Sequence, residues 1–343
     1  QPRVGPLRGY SNHKVQRGAR SGVAPDGSGR RFAVVGGGPA GLEAARSLAR
    51  LGGAVTLFEA EAELGGQFRY ARLVPGKEDY GGTIEFFERE LPRLGVEIEL
   101  GRAIGESDAE LLSGFDGVVL ATGVVPRRVE IPGLEESSVL DYAEAFSDGV
   151  DEAESVAILG AGGIGVDLAH FLTHPETTAD FLTTHAISPP PGKDRGTDIS
   201  LAGARKRSVS QRGPRLGKAP RVTLMRRNGR VGTGIGRTTR WVWLDALKRA
   251  GVATRTGLSY RRLGPDGVEI EGEDGTVELV AADRVVIAAG QERNDALVPV
   301  LERAGVPFRV VGGAEDATEL NAVRAFATGL RAAYELAAEP ARG

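Results

Sequence analysis

The sequence contains no cysteine, and this absence limits the chemistry that the chain can perform by itself. Without cysteine it has no disulfide, no iron–sulfur cluster, no thiolate metal site and no cysteine nucleophile. A disulfide reductase mechanism, which needs a redox-active cysteine pair, is therefore excluded. Long hydrophobic runs are also missing, because no apolar stretch reaches about 18 residues, the length that spans a membrane as a helix.

Charge is distributed unevenly along the chain. Residues 1–30 carry six Lys or Arg and one acid, whereas the whole chain has a net charge of −3, so the remainder is acidic. Nucleic-acid-binding domains more often carry a basic body, and we expect no nucleic-acid partner. The first segment has no apolar core and is not a secretory signal. We expect a disordered basic leader at 1–30, with a transit-like or RNA-binding arm as the alternative, and a cytoplasmic protein without a membrane partner.

From Arg31 onward, short apolar strands alternate with amphipathic helices, and the same pattern restarts at Ser155. The segment "RVVIAAG" closes the second unit much as "GVVLATG" closes the first, and a last strand, turn and helix follow. Such alternation predicts parallel sheets built from strand–helix–strand units. A long polar insert at 174–220 interrupts the second unit. The chain is therefore expected to contain an internal duplication.

The first unit opens with a glycine turn, "VVGGGPAG", in which Gly36, Gly38 and Gly41 follow a strand and begin a helix. The first glycine makes the turn, the second lets the backbone approach a pyrophosphate, and the third allows close packing of helix and strand. The phosphates lie at the helix N-terminus, where free N–H groups favour an anion. Glu59 ends the next strand, where a carboxylate accepts hydrogen bonds from a ribose diol. These features predict a dinucleotide site.

The second unit repeats the turn as "LGAGGIG", with Gly160, Gly162 and Gly165 in the same context. Its next strand, "VTLMRR", ends in Arg226 and Arg227 instead of an acid. A guanidinium pairs well with phosphate, so this site is expected to take NADPH in preference to NADH. The alternative, that the two arginines are a solvated strand end, remains open.

Two dinucleotide sites of different preference suggest a relay between cofactors. One site holds a flavin dinucleotide permanently, and the other takes a nicotinamide nucleotide that exchanges, so that hydride passes from NADPH to FAD. This redox chemistry belongs to the cofactors, and we assign no catalytic side chain and no metal. The predicted fold is α/β, with two Rossmann-like dinucleotide-binding domains and the NAD(P) domain inserted into the FAD domain. The predicted boundaries are FAD domain 31–153, NAD(P)H domain 154–292 and FAD-domain return 293–343.

A family resemblance rests on segments that occur in one order: "GGGPAG", "GGQFRYARLVPGKEDY", "LATG", "LGAGGIG", "GTGIGRTTRW", "VVIAAGQERN" and "VVGGAEDATELNAVRA". Over about residues 31–340 the chain is similar to the C-terminal, FAD- and NADPH-binding half of the bacterial NADPH-dependent 2,4-dienoyl-CoA reductases. These enzymes belong to the trimethylamine dehydrogenase and old-yellow-enzyme group. The two-domain pattern also resembles the pyridine nucleotide-disulfide oxidoreductases.

The resemblance implies roles for further residues. Gly66 and Gln67 match a segment that lies along FAD, Thr122 and Gly123 match a turn near the flavin, and Glu315 falls at the position of an aspartate that binds the ribityl chain. By motif or by resemblance, the residues assigned to cofactor binding are Gly36, Gly38, Pro39, Ala40, Gly41, Glu59, Gly66, Gln67, Ala121, Thr122, Gly123, Gly160, Gly162, Gly163, Ile164, Gly165, Arg226, Arg227, Arg237, Gly290, Gly313 and Glu315.

The resemblance also implies an electron acceptor. The reductases carry an N-terminal FMN barrel and a four-iron cluster held by cysteines, and electrons run from NADPH through FAD, the cluster and FMN to the dienoyl-CoA. This sequence has no cysteine and no such barrel, so we expect either a fragment of a longer product or a reductase subunit that serves an FMN and iron–sulfur barrel protein. Two other hypotheses stay open: a non-catalytic FAD- and nucleotide-binding docking module, and a flavin monooxygenase-type enzyme. The sequence does not indicate an oligomeric state.

Overall fold

The computed structural model describes residues 26–134, 139–150, 153–173 and 219–340. The chain divides into two compact units, and the second is inserted into the first, as predicted. The first unit comprises residues up to Arg72, Glu78–Arg127 and Gln291–Gly343, and the second comprises Leu73–Lys77 and Arg128–Gly290.

The elements alternate between strand and helix in both units. In chain order the strands are β1 (Arg31–Val35), β2 (Ala54–Glu59), β3 (Glu97–Leu100), β4 (Gly117–Leu120), β5 (Val124–Pro126), β6 (Val139–Asp141), β7 (Ser155–Leu159), β8 (Arg221–Arg226), β9 (Ala253–Thr256), β10 (Leu258–Gly264), β11 (Gly267–Gly272), β12 (Val277–Ala281), β13 (Arg284–Ile287), β14 (Gln291–Arg293) and β15 (Phe308–Val310). The α-helices are α1 (Pro39–Arg50), α2 (Phe68–Ala71), α3 (Asp79–Arg93), α4 (Ala109–Ser113), α5 (Tyr142–Ser147), α6 (Gly163–Thr173), α7 (Arg237–Arg249), α8 (Val298–Ala304) and α9 (Ala322–Ala338).

The first unit is built on a parallel sheet in the order β15-β4-β1-β2-β3. Helices cover both faces, so the central strand β1 is apolar at every position after Arg31. One face packs on α1, α3 and α9, with Leu42 and Leu336 fully buried, and the other packs on α4 and α8, with Leu112 and Leu301 fully buried. A short antiparallel ribbon of β5 and β14 completes the unit.

The second unit repeats this plan. Its parallel sheet has the order β6-β13-β7-β8-β9, and an antiparallel sheet of β10, β11 and β12 lies between β9 and β13 in the chain. Leu159 and Met225 from the first sheet share a core with Leu263 and Val268 from the second. The hairpin β11–β12 turns at residues 273–276, which include Asp274-Gly275, a pair that favours tight hairpin turns.

The predicted boundaries differ from this division of the chain. The boundary was expected after residue 153, but the division falls after Arg127, because β6 pairs in parallel with β13 and so belongs to the second sheet. Residues 291–292 return with the first unit, since β14 pairs with β5. Leu73–Lys77 also lies in the second unit, which the sequence did not indicate.

The predicted leader was drawn a few residues too long. Arg30 is 5% exposed, and its guanidinium Nη1 donates to the carbonyl oxygens of Leu336, Ala337 and Glu339 at the end of α9. Residues 1–25 of the leader, and 174–218 of the polar insert, lie outside the described residues. Across the described residues, no helix combines the length and the apolar character needed to cross a membrane.

Candidate functional site

The first glycine turn connects β1 to α1, and two of its three motif glycines leave no room for a side chain. Gly36 has φ 107°, and a Cβ there would lie 2.4 Å from the carbonyl oxygen of Ala121. A Cβ on Gly41 would lie 1.9 Å from the carbonyl oxygen of Gly36. Gly38, by contrast, has no atom nearer than 3.9 Å to such a Cβ. The turn therefore packs tightly against β4 on one side and is open at Gly38.

The N-terminus of α1 faces this open side. Pro39 is the first helical residue, Ala40 is buried, and no side chain caps the helix at Gly38. The free N–H groups and the helix dipole favour an anion at such a position. The sequence motif predicts a pyrophosphate at this position. The uncapped helix N-terminus and the open space at Gly38 fit that group.

Glu59 lies where the sequence predicts a ribose-binding carboxylate, at the end of β2. Its side chain is buried, and its Oε2 accepts a hydrogen bond of 2.6 Å from the N–H of Gly37. Its Oε1 accepts a second, of 2.9 Å, from the N–H of Glu61. Each carboxylate oxygen has a further lone pair, so Glu59 can accept a ribose hydroxyl while these bonds hold it in place.

Gly66 and Gln67 lie beside the same turn. The N–H of Gly65 donates to the carbonyl of Gly37, and a Cβ on Gly66 would lie 2.9 Å from the Cα of Gly38. Gln67 accepts a hydrogen bond of 3.2 Å from the side-chain amide of Gln291. The segment that the resemblance places along FAD therefore borders the open side of the first turn.

The turn Ala121–Gly123 follows β4 and is held by the returning part of the chain. The hydroxyl of Thr122 donates to the carbonyl of Asn294, and the N–H of Asn294 donates to the carbonyl of Gly123. Gly313 packs on the same turn, since a Cβ there would lie 2.6 Å from Val124. These contacts bring the turn Ala121–Gly123 and Gly313 together in the first unit.

Glu315 follows β15, and the resemblance implies that it contacts the flavin ribityl chain. Its carboxylate pairs with Arg331 at 3.2 Å on an exposed part of α9. The neighbouring Asp316 accepts hydrogen bonds from Thr318 and Arg324, and the Thr318 hydroxyl holds the pKa of its carboxyl below the usual value. A contact of Glu315 with a flavin ribityl chain stays a prediction.

The second glycine turn reproduces the first in detail. Gly160 has φ 122°, and a Cβ there would lie 2.2 Å from the carbonyl oxygen of Ala288. A Cβ on Gly165 would lie 1.9 Å from the carbonyl oxygen of Gly160. Gly163, at the start of α6 and next to Ile164, has nothing within 4 Å. Gly290, with φ 121°, follows β13 in the same unit.

Three arginines lie at or just after the end of β8: Arg226 is its last residue, and Arg227 and Arg230 follow. Arg226 bends back over Gly229 and donates to the carbonyl oxygens of Asn228 and Ala161. Within the described part of the chain, neither Arg226, Arg227 nor Arg230 forms an ion pair with an acid. Other arginines of the same unit do form such ion pairs. This end of the strand therefore carries positive charge beside the glycine turn.

The loop between β8 and α7 folds back onto the second turn. The N–H of Gly232 donates to the carbonyl of Ala161 at 2.8 Å, and Thr233 forms an isolated β-bridge with Gly162. Arg240 holds this loop, because its guanidinium donates twice to the carbonyl of Val231. Arg237 is the first residue of α7, and its side chain lies outside the described part of the structure.

A polar open cavity of about 540 Å³ is bordered by the Asn228–Gly229 turn. Glu273 and Asp274 line it, and the Thr276 N–H holds the pKa of the Asp274 carboxyl below its usual value.

Each glycine turn and the residues that support it form a dinucleotide-binding cradle. Some residues of these two cradles could not be assigned from the sequence motifs. Gly329 on α9 would place a Cβ 2.1 Å from the carbonyl oxygen of Ala40, and the Thr328 hydroxyl accepts a hydrogen bond from the N–H of Gly312. Asn294, which is distant in sequence, is hydrogen-bonded to Thr122 and so holds the turn Ala121–Gly123. A glycine inside an otherwise good helix is the one local signal that marks such a contact.

A family model, "Pyridine nucleotide-disulphide oxidoreductase", matches residues 30–318. The chain belongs to this family. The predicted resemblance is confirmed at that level, and FAD and NAD(P)H are the cofactors of the family's fold. Both glycine turns fit a dinucleotide, since each is closed by backbone contacts where glycine is required and open at the helix N-terminus. The redox cysteines that the family name implies are absent from this chain.

Relatives of this family member include a "NADH oxidase" of Thermoanaerobacter brockii, 27% identical over 90% of this chain and 41% of the relative. A "Metal reductase" of Desulforamulus reducens is 27% identical over 91% of this chain and 45% of the relative. The chain thus spans less than half the length of these relatives. The solved complex of a 2-naphthoyl-CoA reductase covers 94% of this chain and 41% of its own, with a TM-score of 0.72 and 19% identity, and shows a shared fold.

Proposed function

We propose that this chain is an NADPH-dependent FAD reductase module, which takes hydride from NADPH at the second glycine turn and passes it to FAD at the first. The observation that carries this proposal is the pair of matching cradles with opposite charge at the strand end, Glu59 in one unit and Arg226 in the other. In such a module the chemistry comes from the cofactors, a nicotinamide that donates hydride and a flavin that accepts it.

The charges give each cradle a different ligand. The buried carboxylate of Glu59 suits a ribose diol and repels a 2′-phosphate, which matches FAD. The arginines at the end of β8 form no ion pair with an acid among the described residues, and a guanidinium suits the 2′-phosphate of NADPH. A charge-assisted hydrogen bond contributes about 1.5–3 kcal/mol, which corresponds to roughly tenfold to hundredfold discrimination against NADH.

We also propose an onward acceptor. The module resembles the corresponding half of 2,4-dienoyl-CoA reductase, and several relatives bear names of reductases, among them a "Cinnamate reductase". These relatives are more than twice as long as the matched region. The proposed acceptor is an FMN and iron–sulfur barrel, either in a partner protein or elsewhere in a longer chain.

The test is anaerobic mixing of the FAD-loaded chain with NADPH or NADH while the visible flavin band is followed. NADPH is expected to bleach the flavin faster than NADH. In R226Q the preference for NADPH is expected to fall about tenfold to hundredfold, whereas R221Q, a control at the other end of β8, is expected to keep it. Equal rates with both nucleotides would refute the role of the arginines.

Two other outcomes would replace the proposal. Bound flavin that neither nucleotide reduces would identify a docking module without hydride transfer. Oxygen uptake that depends on an added organic substrate would identify a flavin monooxygenase.

A further inference from the structure

The loop after β2 and the loop after β8 are attached to the glycine turns of their units in the same way. Gly65 is the sixth residue after β2, and Gly232 is the sixth residue after β8. The N–H of Gly65 donates to the carbonyl of Gly37 at 2.8 Å, and the N–H of Gly232 donates to the carbonyl of Ala161, also at 2.8 Å. Each acceptor directly follows the first glycine of its turn. The internal duplication therefore includes the loop, and we call residues 231–236 the β8 loop.

This attachment brings each loop beside the middle glycine of its turn. A Cβ on Gly38 would lie 3.9 Å from the Cα of Gly66, and a Cβ on Gly162 would lie 4.0 Å from the carbonyl oxygen of Thr233. Thr233 also forms a parallel β-bridge with Gly162. The middle glycine is the point at which the backbone approaches a pyrophosphate. The β8 loop therefore borders the space beside Gly162 in which the pyrophosphate of a dinucleotide would lie.

An arginine of the following helix donates to the loop in each unit. In the first unit, Nε of Arg69 lies 3.4 Å from the carbonyl oxygen of Gly66. In the second unit, Nε and Nη2 of Arg240 donate to the carbonyl oxygen of Val231 at 3.0 and 2.6 Å. Hydrogen bonds from a charged donor are stronger than those between neutral groups. Arg240, in the first turns of α7, thus holds the residue that directly precedes the attachment at Gly232.

The β8 loop is built from residues that lose much conformational freedom when they are ordered. Gly232 and Gly234 have φ angles of 73° and 94°, and glycine loses more backbone entropy on ordering than other residues. A Cβ on Gly234 would meet no atom within 4 Å, so the loop is open there. The Arg240 side chain covers the other end, since its Nε lies 3.3 Å from the Cβ position of Gly232. A loop that is ordered before the ligand arrives reduces the entropy lost on binding.

We propose that the β8 loop forms the outer wall of the pyrophosphate site in the second unit, and that Arg240 is the positioning residue of this wall. This inference rests on the proposed function, since it concerns the nucleotide site of the same unit. The pyrophosphate is common to NADPH and NADH. Arg240 therefore supports the binding of both nucleotides, whereas Arg226 distinguishes them by the 2′-phosphate.

The first experiment measures binding by calorimetry with the FAD-loaded chain and three ligands that do not reduce the flavin: NADP⁺, NAD⁺ and adenosine 2′-monophosphate, which lacks the pyrophosphate. In R240M the Kd values for NADP⁺ and NAD⁺ are expected to rise about tenfold, the lower end of what hydrogen bonds to a charged group contribute. The Kd for adenosine 2′-monophosphate is expected to stay the same. R240K, which keeps a charged donor, is expected to recover part of the affinity.

Two further variants show whether the effect belongs to the pyrophosphate. R226Q is expected to weaken NADP⁺ more than NAD⁺, the reverse of an effect common to both. R249M is the matched control, because Arg249 lies on the same helix, is exposed and pairs with Asp245. It is expected to leave all three Kd values unchanged.

The outcomes separate this inference from the proposed function. If the wild type binds NADP⁺ and R240M binds it equally well, the role of Arg240 is overturned and the proposed function stands. If R240M weakens adenosine 2′-monophosphate as much as NADP⁺, the positioning role is overturned as well, because the whole site has then been disturbed. If the wild type binds neither nucleotide, both proposals fail.

The second experiment tests the attachment without a ligand. Amide hydrogen exchange of residues 228–236, followed by mass spectrometry, is expected to be faster in R240M than in the wild type, because the loop opens more often. Exchange in β7 and α6 is expected to stay the same, which shows that the unit remains folded, and R249M is expected to match the wild type throughout. Unchanged exchange of the β8 loop in R240M would overturn the claim that Arg240 holds it.

Discussion

At the scale of single residues, the two glycine turns depend on atoms that a side chain would displace. Gly41 and Gly165 each leave no room for a Cβ, which would lie 1.9 Å from a backbone carbonyl oxygen. The same collision in both units explains why the motif keeps a glycine at this position: the helix must approach the strand closely. Position alone does not make every glycine essential, because Gly163 lies in open space.

This contrast gives a paired prediction on stability. G165A is expected to lower the free energy of unfolding by about 1–3 kcal/mol, because the added methyl group meets backbone and the helix must shift. G163A is expected to leave that free energy unchanged or to raise it by up to about 1 kcal/mol, since alanine is favoured over glycine in a helix. Urea unfolding followed by circular dichroism measures both, and an equal loss in the two variants would contradict the packing explanation.

Residues with a local pattern could be predicted from the sequence. The two glycine turns, Glu59 and Arg226 all fall at the ends of strands that the apolar pattern reveals. In the structure Glu59 lies beside the first turn and Arg226 beside the second. The ion pair of Glu315 with Arg331 was not predicted, because it depends on how α9 packs and leaves no mark in the local sequence.

At the scale of elements, α9 is fixed at its C-terminus by a buried arginine. The guanidinium Nη1 of Arg30 lies 2.9–3.3 Å from three carbonyl oxygens at the C-terminal end of the helix, where backbone carbonyls lack a full set of helical partners. The same helix packs on α1, which begins at the first glycine turn. The attachment of α9 therefore supports the helix that carries the predicted phosphate site.

Replacing Arg30 tests this attachment. R30M is expected to lower the free energy of unfolding by about 1.5–3 kcal/mol, the range for hydrogen bonds that involve a charged group. R31M serves as the neighbouring control, since the Arg31 side chain is exposed and such substitutions usually change stability by less than about 0.5 kcal/mol. Equal midpoints of thermal unfolding for R30M and wild type would show that the helix end is satisfied without the arginine.

Most helices and strands of the two sheets follow from the alternation of the sequence, but their membership in the units does not. β6 is too short to show which sheet it joins, and its pairing with β13 is set by contacts distant in sequence. The segment Leu73–Lys77 is a similar case, because the ion pair of Lys77 with Asp167 joins residues 90 positions apart. Non-local pairing of this kind is what periodicity cannot supply.

At the scale of the whole molecule, one plan occurs twice. Each unit places a parallel sheet, a glycine turn and the N-terminus of a helix in the same order, and the two differ in the charge that follows the second strand. A duplication that kept both cradles but changed that charge favours two different nucleotides, which is the basis of the proposed relay from NADPH to FAD.

The most direct test of this relay is an anaerobic titration of the FAD-loaded chain with NADPH, followed through the visible absorption of the flavin. If hydride passes between the two sites, the band bleaches in proportion to added nucleotide, and one NADPH is consumed for each FAD. A flavin band that persists through a full equivalent of NADPH, while the nucleotide stays reduced, would contradict hydride transfer.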